Sequence, residues 1–255
     1  IAMGVSLRRA GIDFTIYEKS DGVGGTWRDN TYPGAQCDIR SHMYSFSFEP
    51  KRDWSRLYAE QPEILAYIEA TAAKHGILEH LRPNTPIAEA RWDAAAAVWR
   101  LRSEAGETFE AEVLVTGLGM LNVPSYPDIA GLDDFAGHTF HTSRWDYGYT
   151  GANLENLAGR RIGIIGTGAT ASQCVPHLAA AAGHLYVFQR TPSSVDVRAN
   201  APTDPQWANA LSPGWQRQRM QNFQILTAGG QAAEDLVADA WTSITRKLPV
   251  MRHDS

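Results

Sequence analysis

Arg160-Arg161-Ile162-Gly163-Ile164-Ile165-Gly166-Thr167-Gly168-Ala169-Thr170-Ala171 is the stretch that decides the fold. Residues 161–165 predict a strand, Gly166-x-Gly168-x-x-Ala171 a tight turn, and residues 171–182 a helix. Gly166 permits the turn, Gly168 lets the backbone approach a pyrophosphate, and Ala171 leaves room for helix–strand packing. Thr167, Ala169 and Thr170 complete a cradle at a helix N-terminus, which favours an anion. A second strand, residues 185–191, closes a βαβ dinucleotide unit. It ends on Gln189-Arg190-Thr191, where an NAD site would place an acid for the ribose 2′-hydroxyl. The Arg190 guanidinium suits a 2′-phosphate, so NADPH is the expected nucleotide, held by Arg190 and Thr191.

On the N-terminal side, residues 1–10 predict a helix closed by Gly11, and residues 13–18 a short buried strand ending in Glu18. This is the second half of another βαβ unit, with Glu18 where a carboxylate accepts from a ribose diol. The first strand and its glycine turn would precede Ile1, so the chain reads as a fragment. Any targeting segment would then lie outside it. Gly22-Val23-Gly24-Gly25-Thr26-Trp27 is a glycine loop that lets N–H groups approach a ligand, and Tyr32-Pro33-Gly34 marks a tight turn ahead of Asp38. As a loop acid, Asp38 has an equal claim to capping a turn.

Residues 51–80 read as largely helical, with Pro62 near a helix start and Ile64, Leu65 and Ile68 on an apolar face. Residues 85–116 carry strand signals: Val98 to Arg102 alternates, Gly106 turns the chain, and Phe109 to Val115 returns as a buried strand running into Gly117 and Gly119. Pro124 and Pro127 mark an exit. We therefore expect an α/β chain of two tandem Rossmann-like domains, residues 1–121 and 122–255. Residues 94–97 and 179–182 are alanine runs read as helix or packing material. Ala232, Leu236, Ala240, Ile244 and Leu248 recur every four residues and predict a helical tail.

Composition narrows the partners. With 255 residues, 44% hydrophobic, 20% charged and a formal charge of -5, the chain has core material but no basic footprint for nucleic acid. No apolar run reaches the roughly 18 residues of a membrane span. Cys37 and Cys174 form neither a CxxC pair nor a disulfide framework, which suggests a reducing, cytoplasmic setting and disfavours a disulfide reductase. His138 and His141, with Asp134 and Asp146 nearby, complete no zinc-like ligand spacing, so no metal is expected. There is no G-x-S-x-G elbow.

Between the two units, Phe135, Gly137, His141, Trp145 and Asp146 spell F-x-G-x-x-x-H-x-x-x-W-D. With the fingerprint behind it, this pattern resembles the Baeyer–Villiger monooxygenases, flavoproteins that use FAD, NADPH and O2. Glu18, Gly24-Gly25-x-Trp27 and Tyr32-Pro33-Gly34-x-x-x-Asp38 also look like the family's FAD-wrapping segments, and Gln189-Arg190-Thr191 like its 2′-phosphate segment. The resemblance implies FAD contacts from Glu18, Gly24, Gly25, Trp27, Asp38 and Tyr44. It further implies that Asp38 orients an essential arginine located beyond Ser255, and that His141 serves positioning and domain motion with no acid–base role. The reaction it implies is insertion of one oxygen atom into a ketone, giving an ester or lactone through a flavin C4a-peroxide. Two alternatives stand beside it: a flavin monooxygenase that oxidises nitrogen or sulfur, and a nucleotide-binding module without turnover. The closing Trp145-Asp146 favours the Baeyer–Villiger side. A ketone or other soft organic substrate and O2 are the expected partners, with no protein partner indicated.

Overall fold

The computed structural model describes residues 1–192 and 197–244. It divides into two units, Ile1–Thr31 with Ile64–Trp145, and Tyr32–Glu63 with Asp146–Ser255. The expected single cut near residue 122 is thus not where the compact units part.

The first unit opens with α1 (Ala2–Arg9), which Gly11 ends in the left-handed region at φ +67°. Gly4 lets α1 press onto its neighbours: a Cβ there would meet Phe14 at 3.1 Å, and Ile16 and Ile77 at 3.3 Å. Of the strand expected over residues 13–18, only β1 (Ile16–Tyr17) forms. After α2 (Thr26–Asp29) and α3 (Gln61–Lys74), β1 pairs in parallel with β2 (Leu81–Arg82). Pro62 sits in the first turn of α3, where its missing N–H costs nothing, and Ile64 and Ala72 are buried. Next comes an antiparallel meander, β3 (Ile87–Asp93), β4 (Val98–Ser103) and β5 (Thr108–Ala111).

Two expectations fail here. Residues 94–97 are the hairpin turn between β3 and β4: the Asp93 carboxylate accepts from the N–H groups of Ala95 and Ala96, and Ala97 takes φ +54°. A local side-chain bond overrides alanine's helix preference. The buried strand expected up to Val115 also stops early. Val113 is 76% and Leu118 77% exposed, because no neighbouring strand among the described residues pairs with them.

The second unit contains α4 (Tyr147–Thr150), then β6 (Arg161–Ile165), α5 (Ala169–Ala181) and β7 (His184–Phe188). β6 and β7 pair in parallel through α5, giving the expected βαβ unit. Residues 32–63 belong here because they are hydrogen-bonded into it. Cys37 N donates to Ala59 O and Ser41 N to Leu57 O, while Leu57 N donates to Ala201 O and Thr203 N to Ser55 O. Three extended segments therefore satisfy one another's backbone groups, and Asn200 adds a side-chain rung to both the N–H and C=O of Tyr58. Residues 51–60, expected as helix, are not helical: Leu57 and Tyr58 take partners at Ala201 and Asn200, the latter 142 residues away, and helix begins only at Gln61.

α6 (Pro205–Asn209) and α7 (Trp215–Thr227) follow. The expected four-residue period misplaces the tail helix. Ala232 and Leu236 are not helical; Asp235 caps a turn through Val237 N and Ala238 N, and Ala238 takes φ +52°. Helical backbone resumes only at residues 240–244, where Asp239 accepts from Thr242 N. Leu248 lies outside the described residues.

Candidate nucleotide-binding site

In the second unit, Gly166 adopts φ +102° directly after β6, and its N–H donates to Phe188 O on β7. Gly168 is the N-cap of α5, and Ser172 N is the first donor back to it. The N–H groups of Ala169, Thr170 and Ala171 thus stand ahead of the helix's own ladder. A Cβ on Gly166 or on Gly168 would meet nothing within 4 Å, so the turn is open above both. Ala171, in the first turn of α5, is buried. Thr167 Oγ donates to Thr191 O at 3.4 Å, tying the turn to the strand end, and Arg190 beside it is exposed. A helix N-terminus, an open glycine turn and an exposed guanidinium can together take a phosphorylated nucleotide.

The residues expected at a flavin fall in both units. In the first, Glu18 is half-buried at the end of β1 and accepts from Ser20 N at 2.9 Å. Gly24 takes φ +129°, and a Cβ there would strike Leu65 at 2.5 Å. Its glycine requirement is therefore explained by packing. Gly25 differs: at φ +51° it has open space around it, and it caps α2, which carries the half-buried Trp27. Sequence reasoning missed the residue that holds this loop. Arg28 donates to Val23 O at 2.7 Å and pairs with Asp21 and Glu69, fastening residues 21–25 to α3.

Asp38 and Tyr44 belong to the second unit. Tyr44 ends a 3-10 turn at Ser41–Met43 and is exposed. Asp38 already has an arginine partner within the chain: Arg198 Nη2 lies 2.9 Å from its Oδ1, and Gln173 Nε2 donates to the same oxygen at 3.1 Å. Neither partner was legible in sequence. Gln173 is on α5, and its amide also accepts from Tyr32 Oη at 2.9 Å. Burial pushes the Tyr32 phenol pKa up, while a hydrogen bond with Thr170 of the fingerprint works against that rise.

The central motif straddles the unit boundary, which falls between Trp145 and Asp146. Within the first unit, Phe140 and Trp145 meet edge to face at 5.2 Å. His141 Nδ1 accepts from Ser143 N at 3.1 Å, capping a 3-10 turn. Phe135 is 64% exposed, and its ring lies over Gly137, where a Cβ would be 2.4 Å from it. In the second unit Asp146 N-caps α4 through Tyr149 N at 2.9 Å. Among the described residues, no group of three or more His, Cys, Asp or Glu gathers as a metal site, and no helix is long and apolar enough to cross a membrane.

Residues 1–61 match a family model described as an NAD(P)-binding Rossmann-like domain. The chain is 45% identical to neopentalenolactone D synthase of Streptomyces avermitilis over 255 residues, 97% of this chain and 43% of that protein. It is 39% identical to Baeyer-Villiger monooxygenase 4 of Dietzia sp. over 254 residues, 97% of this chain and 42% of that one. Among solved structures, the polycyclic ketone monooxygenase of Thermothelomyces thermophila superposes with a TM-score of 0.82 at 36% identity, covering 93% of this chain and 41% of that one. OTEMO in complex with FAD and NADP gives 0.78 at 32% identity, over 89% and 43%. The chain thus spans about 40% of the length of the relatives it matches. In sequence and in its α/β, Rossmann-like fold the chain matches a segment of the Baeyer–Villiger monooxygenases, the family that its motifs resemble.

Proposed function

We propose that the protein works as a flavoprotein monooxygenase that uses FAD, NADPH and O2 to place one oxygen atom beside a ketone carbonyl, giving an ester or lactone. The observation that carries this reading is the open turn at Gly166 and Gly168 on the N-terminus of α5, followed by Arg190 at the strand end. Space that a Cβ would fill is left empty where a pyrophosphate would lie, so the residues present fit a dinucleotide. The amides of Ala169, Thr170 and Ala171 would hold its diphosphate, and Arg190 with Thr191 its 2′-phosphate.

On the flavin side, the open space at Gly25 and the carboxylate of Glu18 in the first unit fit a second dinucleotide, with Gly24 and Trp27 beside them, and Asp38 and Tyr44 of the second unit are assigned to FAD on the family resemblance alone. We assign residues 1–121 to FAD and residues 122–255 to NADPH as functional halves. When bound, FAD supplies oxygen activation and NADPH the reducing equivalents. The chain's own residues bind, orient and exclude water; His141, acting as a cap, moves no proton in this scheme. Two buried, unpaired cysteines support the cytoplasm as the compartment.

The test uses the full-length product of the gene supplied with FAD. Nicotinamide oxidation is followed with NADPH and NADH in parallel, with a cyclic ketone or a thioether, and the products are identified. NADPH-dependent lactone formation is expected. Sulfoxide formation with no ester from a broad ketone panel would overturn the reading in favour of a nitrogen- or sulfur-oxidising relative.

A further inference from the structure

Gln173 is the fifth residue of α5, one turn past the amides of the fingerprint, and only 9% of it is exposed. Its amide is fully used. Oε1 accepts from Tyr32 Oη at 2.9 Å and from Gln36 N at 3.4 Å, and Nε2 donates to Gln36 O at 3.2 Å and to Asp38 Oδ1 at 3.1 Å. A carboxylate only accepts, so the amide can point only one way. The loop also rests directly on the same helix. A Cβ on Gly34 would lie 2.6 Å from Gln173 O and 2.6 Å from His177 Nε2. A third tie comes from Arg198, eight residues past Arg190, which donates to Cys37 O at 3.0 Å and Asp38 Oδ1 at 2.9 Å and stacks over Tyr58 at 5.1 Å.

We propose that Gln173 and Arg198 are positioning residues that latch the loop 32–38, and with it the Asp38 carboxylate, to the dinucleotide fingerprint. Nucleotide binding at residues 166–171 and the order of that loop are then one coupled equilibrium. The physical reason is that α5 presents its N-terminal amides to the phosphate and, one turn later, the side chain that holds Asp38. Ordering the first turn of α5 orders both. An exposed Asp38–Arg198 pair alone would contribute little; the buried amide makes the connection stiff.

The inference rests on the reading of the fingerprint as an NADP site, and the experiment separates the two. Amide hydrogen exchange is measured on the full chain with and without NADP+, for wild type, Gln173→Met, Gln173→Glu and Arg198→Met. In wild type, NADP+ is expected to slow exchange at residues 166–171 and at residues 35–38 by about fivefold or more. Both Gln173 variants should keep the protection at 166–171 and lose the nucleotide-dependent change at 35–38; Arg198→Met should reduce it. A merely structural role would raise exchange at 35–38 equally with and without NADP+, and would overturn the proposal. Protection at 166–171 with none at 35–38 in wild type would do the same. No protection anywhere would defeat the nucleotide reading itself. Gln173→Glu keeps the size and the acceptor for Tyr32, so it stays informative if Gln173→Met fails to fold.

Discussion

Replacing Gly34 with alanine tests whether the loop truly lies on α5. Gly34 has φ +81°, so any L-residue there takes on left-handed strain of about 1–2 kcal/mol. Its Cβ would also come within 2.6 Å of a helix carbonyl and of the His177 ring, contacts that a close-packed interface cannot accommodate without a shift. Overpacking of this kind costs about 1–3 kcal/mol. The sum, about 2–5 kcal/mol, corresponds to a fall in Tm on the order of 10 °C for a chain of this size. Gly229 is the control. It has φ +83° with nothing within 4 Å, so Gly229→Ala carries only the backbone strain and should lower Tm by roughly 4 °C. Thermal unfolding followed by circular dichroism compares the two directly. Equal shifts would refute the packing argument, because the two variants differ chiefly in what the new methyl group meets.

Arg190→Ala should weaken NADP+ binding about ten- to hundredfold while leaving NAD+ unchanged, as loss of a charge-assisted contact predicts; isothermal titration reads both. Asp146→Ala should cost about 1 kcal/mol through the lost cap on α4, whereas Asp146→Asn should keep most of it; urea unfolding distinguishes them. Burial pushes both Cys37 and Cys174 from an ordinary 9.0 up to about 12. The folded thiols should therefore resist alkylation at pH 8 and react only on unfolding. Because the unfolded chain loses these protons first, their contribution to stability is present below pH 9.0 and falls as pH rises toward about 12, a trend that unfolding at stepped alkaline pH would show.

The βαβ unit was legible because its signals are local: isoleucines at 162, 164 and 165, glycines at 166 and 168, a small residue at 171 and an arginine after the second strand. The meander was legible for the same reason, through alternation at 98–102 and a turn at Gly106. What was hidden depends on distant partners. Residues 51–60 read as helical, but Leu57 and Tyr58 take partners at 200–201 that no local signal marks, and a neutral glutamine at 173 gives no hint that four hydrogen bonds converge on it. The tail misled because apolar spacing of four recurs across Asp235 and Asp239, whose side chains cap turns and break the helix that the spacing suggests. Asp38 was singled out as a loop acid, but Arg198, its partner in the structure, is 160 residues away.

The most direct test of the account is titration of the chain with NADP+ and with NAD+ under the same conditions, repeated with Arg190→Ala. The account predicts that NADP+ binds tighter by about tenfold or more, and that the arginine variant removes the difference. Equal affinity for the two nucleotides in the unaltered chain would contradict it.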